Sequence, residues 1–211
     1  MTEQFALFPL QLVVFPGENL NLHVFEPRYR QLVADVEATG KTFLVPTLTD
    51  NGMRPTATEV VLTEVANRYP DGESDIRTRG KRIFFLEDFW SILPGKLYPG
   101  GRASELPVDF NEDPYLNGEI ISLTRNIYDM LNVDKEVRSV ADGFRTYDIG
   151  HYVGLTLDEE YKLLSLRQAI PRQEFLLEHL RGIDVQRSEG RRISARAKLN
   201  GHFQELAPPN F

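Results

Sequence analysis

The sequence predicts an α+β protein in two lobes, and three observations predict it. Up to about residue 110, short apolar runs rich in β-branched and aromatic residues are punctuated by Gly and Pro, as in strands joined by turns. Beyond that point apolar residues recur at helical spacing. The change falls in the loop Val108-Asp109-Phe110-Asn111-Glu112-Asp113-Pro114. A run of strands followed by a run of helices is the α+β signature. The expected division is a β-rich lobe with one helix over 1–110, a helical lobe over 111–199 and a tail over 200–211.

In the first lobe, Asn19-Leu20-Asn21-Leu22-His23-Val24 alternates strictly between polar and apolar, the period of a half-buried strand. Pro27 suits a first helical position, where its missing N–H would have been unpaired anyway. Tyr29, Leu32, Val33 and Val36 then share one helical face, and Gly40 supplies a left-handed stop. Further strands are expected over 42–48, 59–68, 75–79 and 82–89, with a last one between 96 and 105. Pro70-Asp71-Gly72 marks a hairpin turn.

The helical half is expected to start at Asp113 or Pro114, with a stripe of Leu116, Ile120, Ile121, Leu123, Ile127, Met130 and Leu131. A second helix is expected over 147–154. Thr156-Leu157-Asp158-Glu159 is a capping box, in which hydroxyl and carboxylate satisfy two helix-end N–H groups reciprocally, so a helix should run from Leu157 to Leu166. Pro171 should open the last helix, packing through Leu176, Leu177, Leu180 and Ile183.

Composition excludes several function classes. The 211 residues contain no cysteine, which removes disulfides, thiolate zinc sites and cysteine nucleophiles together. The formal charge of −7 argues against a nucleic-acid partner, whose affinity comes from cations replacing condensed counterions. Arg187, Arg191, Arg192, Arg196 and Lys198 form a local basic run that reads as a solvated segment. No apolar run approaches the ~20 residues that span a bilayer, and the opening MTEQFALFPLQLVVFPG lacks a basic segment followed by a cleavage site. The expectation is a cytoplasmic protein that does not engage a membrane.

Catalytic signatures are also missing. Gly40-Lys41-Thr42 matches the end of a P-loop, but Asp35 occupies the first required glycine position, inside a predicted helix. No G-x-S-x-G elbow surrounds Ser74, Ser139 or Ser188. His23, His151, His179 and His202 lack metal-ligand spacing, and Asp158-Glu159-Glu160 is explained by its place at a helix amino terminus. No catalytic residue, metal or cofactor is expected.

Residues 7 to 33, LFPLQLVVFPGENLNLHVFEPRYRQLV, resemble the opening of the amino-terminal substrate-binding domain of Lon proteases. There the pattern is L-P-L-x-x-V-x-F-P-G, an alternating strand, then F-E-P-R-Y at a helix start. Phe8 stands in place of the leucine, while Pro9, Leu10, Val14, Phe15, Pro16, Gly17, Phe25, Glu26, Pro27, Arg28 and Tyr29 fit as they stand. Ser74 through Phe84 is similar to the family's strand, Gly and Arg-Phe-x-Ile hairpin, and Lys162 to Leu180 to its helical hairpin. Two departures concern the barrel rim: Phe43-Leu44-Val45-Pro46 replaces a glycine-containing strand, and Pro99 to Arg102 carries extra glycines. The resemblance implies a PUA-like β pseudo-barrel followed by a small α-helical bundle. A full Lon protease continues into ATPase and Ser-Lys peptidase domains, whereas this sequence stops at Phe211, so a stand-alone form is expected.

Most of the motif has a structural account. Pro9, Pro16 and Gly17 shape turns; Phe15, Phe25 and Tyr29 supply core area worth roughly 1.5–3 kcal/mol each if fully buried. Glu26 can meet the first helical N–H groups beside Pro27, and Arg28 and Arg30 can pair with acidic neighbours. The functional expectation is a non-catalytic module that binds polypeptide segments or a partner protein. The outward helix face of Arg28, Gln31 and Asp35 is the candidate peptide site, together with strand edges open to strand addition. Open alternatives are a small-molecule sensor with a pocket between the lobes, an RNA-binding PUA-like module and an ATP-independent peptidase.

Overall fold

The structure, a computed structural model, describes residues 2–185. The basic run, Ser188, His202 and the expected tail lie outside the described residues. The described chain separates into two compact units, one through Pro107 and one from Val108.

The first unit comprises β1 (Thr2–Leu7), β2 (Asn19–Val24), α1 (Pro27–Thr39), β3 (Phe43–Thr49), β4 (Gly52–Arg68), β5 (Ser74–Trp90) and β6 (Gly100–Leu106). Strand β1 runs parallel to β3 and antiparallel to β6. The pairs β3–β4, β4–β5 and β5–β6 are antiparallel, so the pairing returns to β1 and closes a ring. One edge of β5 is shared: β2 takes Ser74 to Arg79, and β6 takes Ile83 to Trp90.

One expectation needs correction here, and one strand was not anticipated. The runs 75–79 and 82–89 are one strand: Gly80 pairs with Val60, and the pairing continues from Ile83 after a shift of register. Strand β1 has no clear alternation, with three exposed residues before Phe5, and pairing rather than pattern makes it a strand.

Gly80 also explains the Pro-Gly turn earlier in the chain. Gly17, at φ 88°, donates its N–H to the Gly80 carbonyl at 2.9 Å, and Gly80 donates to the Glu18 carbonyl at 2.8 Å. The Glu18 carboxylate accepts from the Phe15 N–H at 2.8 Å. A Cβ at Gly80 would collide with the Phe15 carbonyl oxygen. The Phe15-Pro16-Gly17-Glu18 turn and the middle of β5 are therefore one docked assembly. Pro9, Phe15 and Pro16 are buried, Phe15 completely.

Helix α1 begins at Pro27 and ends at Gly40, whose φ of 66° is left-handed. It buries Tyr29, Leu32, Val33 and Val36 against Leu20, Leu22, Val24, Val60 and Ile76. The rings of Phe8 and Tyr29 meet at 4.1 Å between centroids. A second cluster holds Phe5, Leu7, Leu44, Phe84 and Leu86 within the strand ring. Glu26 does not cap α1 with its side chain; its carboxylate pairs with Arg28 instead, at 2.8 Å.

The second unit contains α2 (Pro114–Leu131), α3 (Leu157–Ser165) and α4 (Ala169–Val185). Asp113 caps α2 by accepting from the Tyr115 and Leu116 N–H groups. The Thr156–Glu159 capping box is formed at α3, and Leu176, Leu177, Leu180 and Ile183 of α4 are buried. The expected helix over 147–154 reduces to one short 3-10 turn, Thr146–Ile149. The buried face of α2 is more polar than its stripe suggests: Asn117 and Thr124 lie inside, while Met130 is exposed. Asn117 accepts from the Gln173 amide at 2.8 Å, and the Thr124 hydroxyl donates to the Ile120 carbonyl, so both are satisfied.

The least anticipated feature is Arg172, fully buried on α4. Its guanidinium pairs with Glu112 at 2.9 Å and donates to the Thr146 hydroxyl and to the Asp109 and Leu166 carbonyls. It also lies 4.8 Å from the centre of the Tyr147 ring. Glu112 in turn accepts from the Thr146 N–H and hydroxyl.

Candidate functional site

Between β5 and β6 the chain makes a nine-residue loop, Ser91 to Pro99, with an unusual content for an exposed segment. Ile92 and Leu97 are 63% and 57% exposed, and Phe89 and Trp90 at the end of β5 are 59% and 38% exposed. Isolated apolar side chains on a surface need no explanation, but four large ones within nine residues of chain mark a candidate contact surface.

The loop is built rigidly. Lys96 donates its N–H to the Leu93 carbonyl at 2.9 Å, closing a turn with Pro94 second and Gly95 third at φ 76°, the residue order of a type II turn. The Leu93 N–H donates to the Tyr98 carbonyl, and the Leu7 N–H to the Pro99 carbonyl, both at 2.9 Å. Gly100 and Gly101 permit the close return of the chain: a Cβ at Gly100 would sit 2.5 Å from Leu93 Cδ1, and one at Gly101 would sit 2.7 Å from the Asp88 carbonyl oxygen. The extra glycines noted in the sequence thus make room for the loop.

The three candidate helix residues meet different partners. Gln31 accepts from the Leu97 N–H at 2.7 Å. Asp35 accepts from the Lys96 ammonium and the Tyr98 hydroxyl, both at 2.7 Å, and the Lys96 bond, followed by the Tyr98 bond, holds its carboxyl below the usual range. Arg28 pairs with Glu26 and lies 4.7 Å from the centre of the Tyr29 ring. Gln31 and Asp35 are therefore joined to the loop, whereas Arg28 is paired with Glu26 on its own helix end. The sequence reading missed Trp90, Ile92 and Leu97. The available signal was three large apolar residues set among the Pro and Gly of a turn.

A second polar cluster lies at the β2 end of β5. His23 faces Asp75 across the ladder, with Nδ1 at 2.8 Å from the Asp75 carboxylate and Nε2 at 3.0 Å from Glu73. Asp75 also accepts from Asn67 and the Tyr69 hydroxyl, and Arg30 of α1 reaches Glu73 at 3.4 Å. Carboxylates only accept, so both contacts are hydrogen bonds when both ring nitrogens carry protons. The Asp75 bond, reinforced by Glu73, raises the His23 pKa; bonds from Asn67, His23 and Tyr69 lower that of Asp75 to about 2. The remaining described histidines are in internal contacts, His151 with Glu160 and His179 with the Val153 carbonyl. Among the described residues no group of three or more His, Cys, Asp or Glu is placed to hold a metal ion. No described helix is long and apolar enough to cross a membrane.

No family model matches the sequence, and no curated protein does. Solved structures do. The Lon N-terminal domain protein from Xanthomonas campestris is 27% identical, with a TM-score of 0.64, over 83% of this chain and 98% of that one. The chain is similar to Lon N-terminal domains. The N-terminal domain of the Mycobacterium avium complex Lon protease shares the fold at 14% identity, with a TM-score of 0.61 over 85% of this chain and 98% of that one. The Lon-like pattern thus extends beyond the opening motif to a β-rich unit followed by a helical one.

Proposed function

We propose that this Lon N-terminal-like domain is a non-catalytic module that binds polypeptide, recognising exposed apolar segments of unfolded chains weakly and reversibly through the β5–β6 loop. The likeness to Lon N-terminal domains supports protein binding in general terms. The observation that carries the finer reading is the display of Phe89 and Trp90 at the end of β5 and of Ile92 and Leu97 on the following loop, which is tied to α1 and β1. Apolar side chains held out by a pre-ordered backbone contact a ligand with little further ordering cost. In this reading Gln31 and Asp35 act by positioning the loop, and Arg28 by completing the outer face of α1.

The test is a fluorescence titration of a labelled, permanently unfolded polypeptide with the wild type and with an Ile92→Ser/Leu97→Ser double variant. Wild type should saturate in the micromolar range or above. The double variant should bind at least about tenfold more weakly, as expected for loss of two apolar contacts of ~1 kcal/mol or more each. Its urea midpoint should match wild type, because both side chains are exposed. Equal binding by the two proteins, or no saturable binding by either, would remove the proposal.

A further inference from the structure

On the β1 side of the loop lies a cleft of about 560 Å³, within the size range of ligand pockets. Phe5, Ala6, Val36, Leu93, Pro94 and Tyr98 supply its apolar lining. Its polar lining includes Lys41 and Lys96, one carboxylate, Asp35, and the hydroxyls of Thr39 and Thr42. These polar groups are unequally committed. Asp35 already accepts from Lys96 and Tyr98; Thr39 donates to the Asp35 carbonyl, and Thr42 to Glu59. Glu59 is itself held by Arg82 at 2.7 Å. Lys41 has no ion pair among the described residues. Two ammonium groups against one carboxylate leave the lining with one net positive charge, in a chain whose formal charge is −7.

We propose that this cleft is an anchor pocket for a peptide in which an apolar side chain stands next to a carboxylate. The inference rests on the polypeptide-binding reading and gives it a sequence preference. The apolar side chain enters between Val36, Leu93 and Tyr98, and the carboxylate pairs with Lys41. Because Lys96 is already engaged by Asp35, Lys41 is the cation that discriminates. A peptide bound this way continues onto Ile92 and Leu97 of the same loop, so pocket and exposed surface act on one ligand.

The probes are labelled hexapeptides of Gly and Ser with a central Phe-Glu, Phe-Gln, Phe-Lys or Ala-Glu pair, plus a peptide ending in Phe as the free acid and as the amide. At low ionic strength Phe-Glu should bind about two- to fivefold more tightly than Phe-Gln, the size of one partly exposed ion pair. The difference should shrink as salt is raised. Ala-Glu should bind more weakly than either. Lys41→Gln should abolish the Phe-Glu preference, and Lys41→Glu should shift it to Phe-Lys. Both changes are at an exposed position and should leave the urea midpoint in place. Thr39→Trp, also at an exposed position, should obstruct the cleft and weaken every Phe peptide. The free-acid and amide pair decides whether a chain terminus supplies the carboxylate as well as a side chain does.

Equal affinities for Phe-Glu and Phe-Gln, or a Phe-Glu preference that survives Lys41→Gln, would overturn the pocket. In that case, unfolded polypeptide still lost by Ile92→Ser/Leu97→Ser leaves the polypeptide-binding reading intact. If neither peptides nor unfolded polypeptide bind, both fall together.

Discussion

Gly80 shows how one residue joins two distant stretches of sequence. Its N–H and carbonyl close the Phe15–Glu18 turn onto β5, and the missing side chain makes the approach possible. Gly80→Ala places a methyl group against a backbone oxygen, which cannot rotate aside as a side chain would. The expected cost is about 1–3 kcal/mol, the range for overpacking a tight contact. A urea denaturation curve reads this directly, with Gly118→Ala as the control, because nothing lies near a Cβ there and alanine favours helix. At this scale the sequence was readable where the cause is local: Pro27 starts α1, Gly40 stops it and Thr156 caps α3. It was not readable at Glu26, where an ion pair with Arg28 displaced the expected helix-end contact.

Among elements, the buried Glu112–Arg172 pair performs the corresponding task in the helical unit. It ties the segment before α2 to α4 and to the 3-10 turn, with no local signal, since its partners are 60 residues apart. Glu112→Ala leaves the Arg172 guanidinium buried without its counter-charge, and should cost about 3–5 kcal/mol. Replacing both partners, as Glu112→Leu with Arg172→Met, should cost less than Glu112→Ala alone, because no isolated charge remains. A double-mutant cycle in urea measures the difference; additive losses would show that the pair does not act as a unit. The β5–β6 loop was illegible for a related reason. Its apolar residues resemble core positions in sequence, and only the bonds from Leu97 to Gln31 and from Lys96 and Tyr98 to Asp35 reveal which side chains are left outside.

For the whole molecule, the order of strands before helices was legible because each element's periodicity is local, whereas closure of the strand ring depends on β6 finding both β1 and β5. The stability of that fold should carry a pH dependence from the cluster joining β2, the β4–β5 hairpin and α1. His23 faces Asp75 and Glu73, with Tyr69 and Asn67 on Asp75 and Arg30 on Glu73. The His23 pKa is raised above 6.5 by folding, so its contribution is complete below 6.5 and is lost as pH rises through the folded value. Asp75 is lowered from 3.8 to about 2, so its contribution is present above 3.8 and is lost as pH falls toward 2. The cluster therefore stabilises most between these limits, on the acid side of neutral. Urea midpoints from pH 5 to 9 should fall more steeply for wild type than for His23→Gln, which cannot titrate there. His151 and His179 remain in both proteins, so the difference isolates His23. Parallel curves would show that protonation of His23 does not couple to folding, whereas curves converging above neutral pH would place the loss at its two carboxylate bonds.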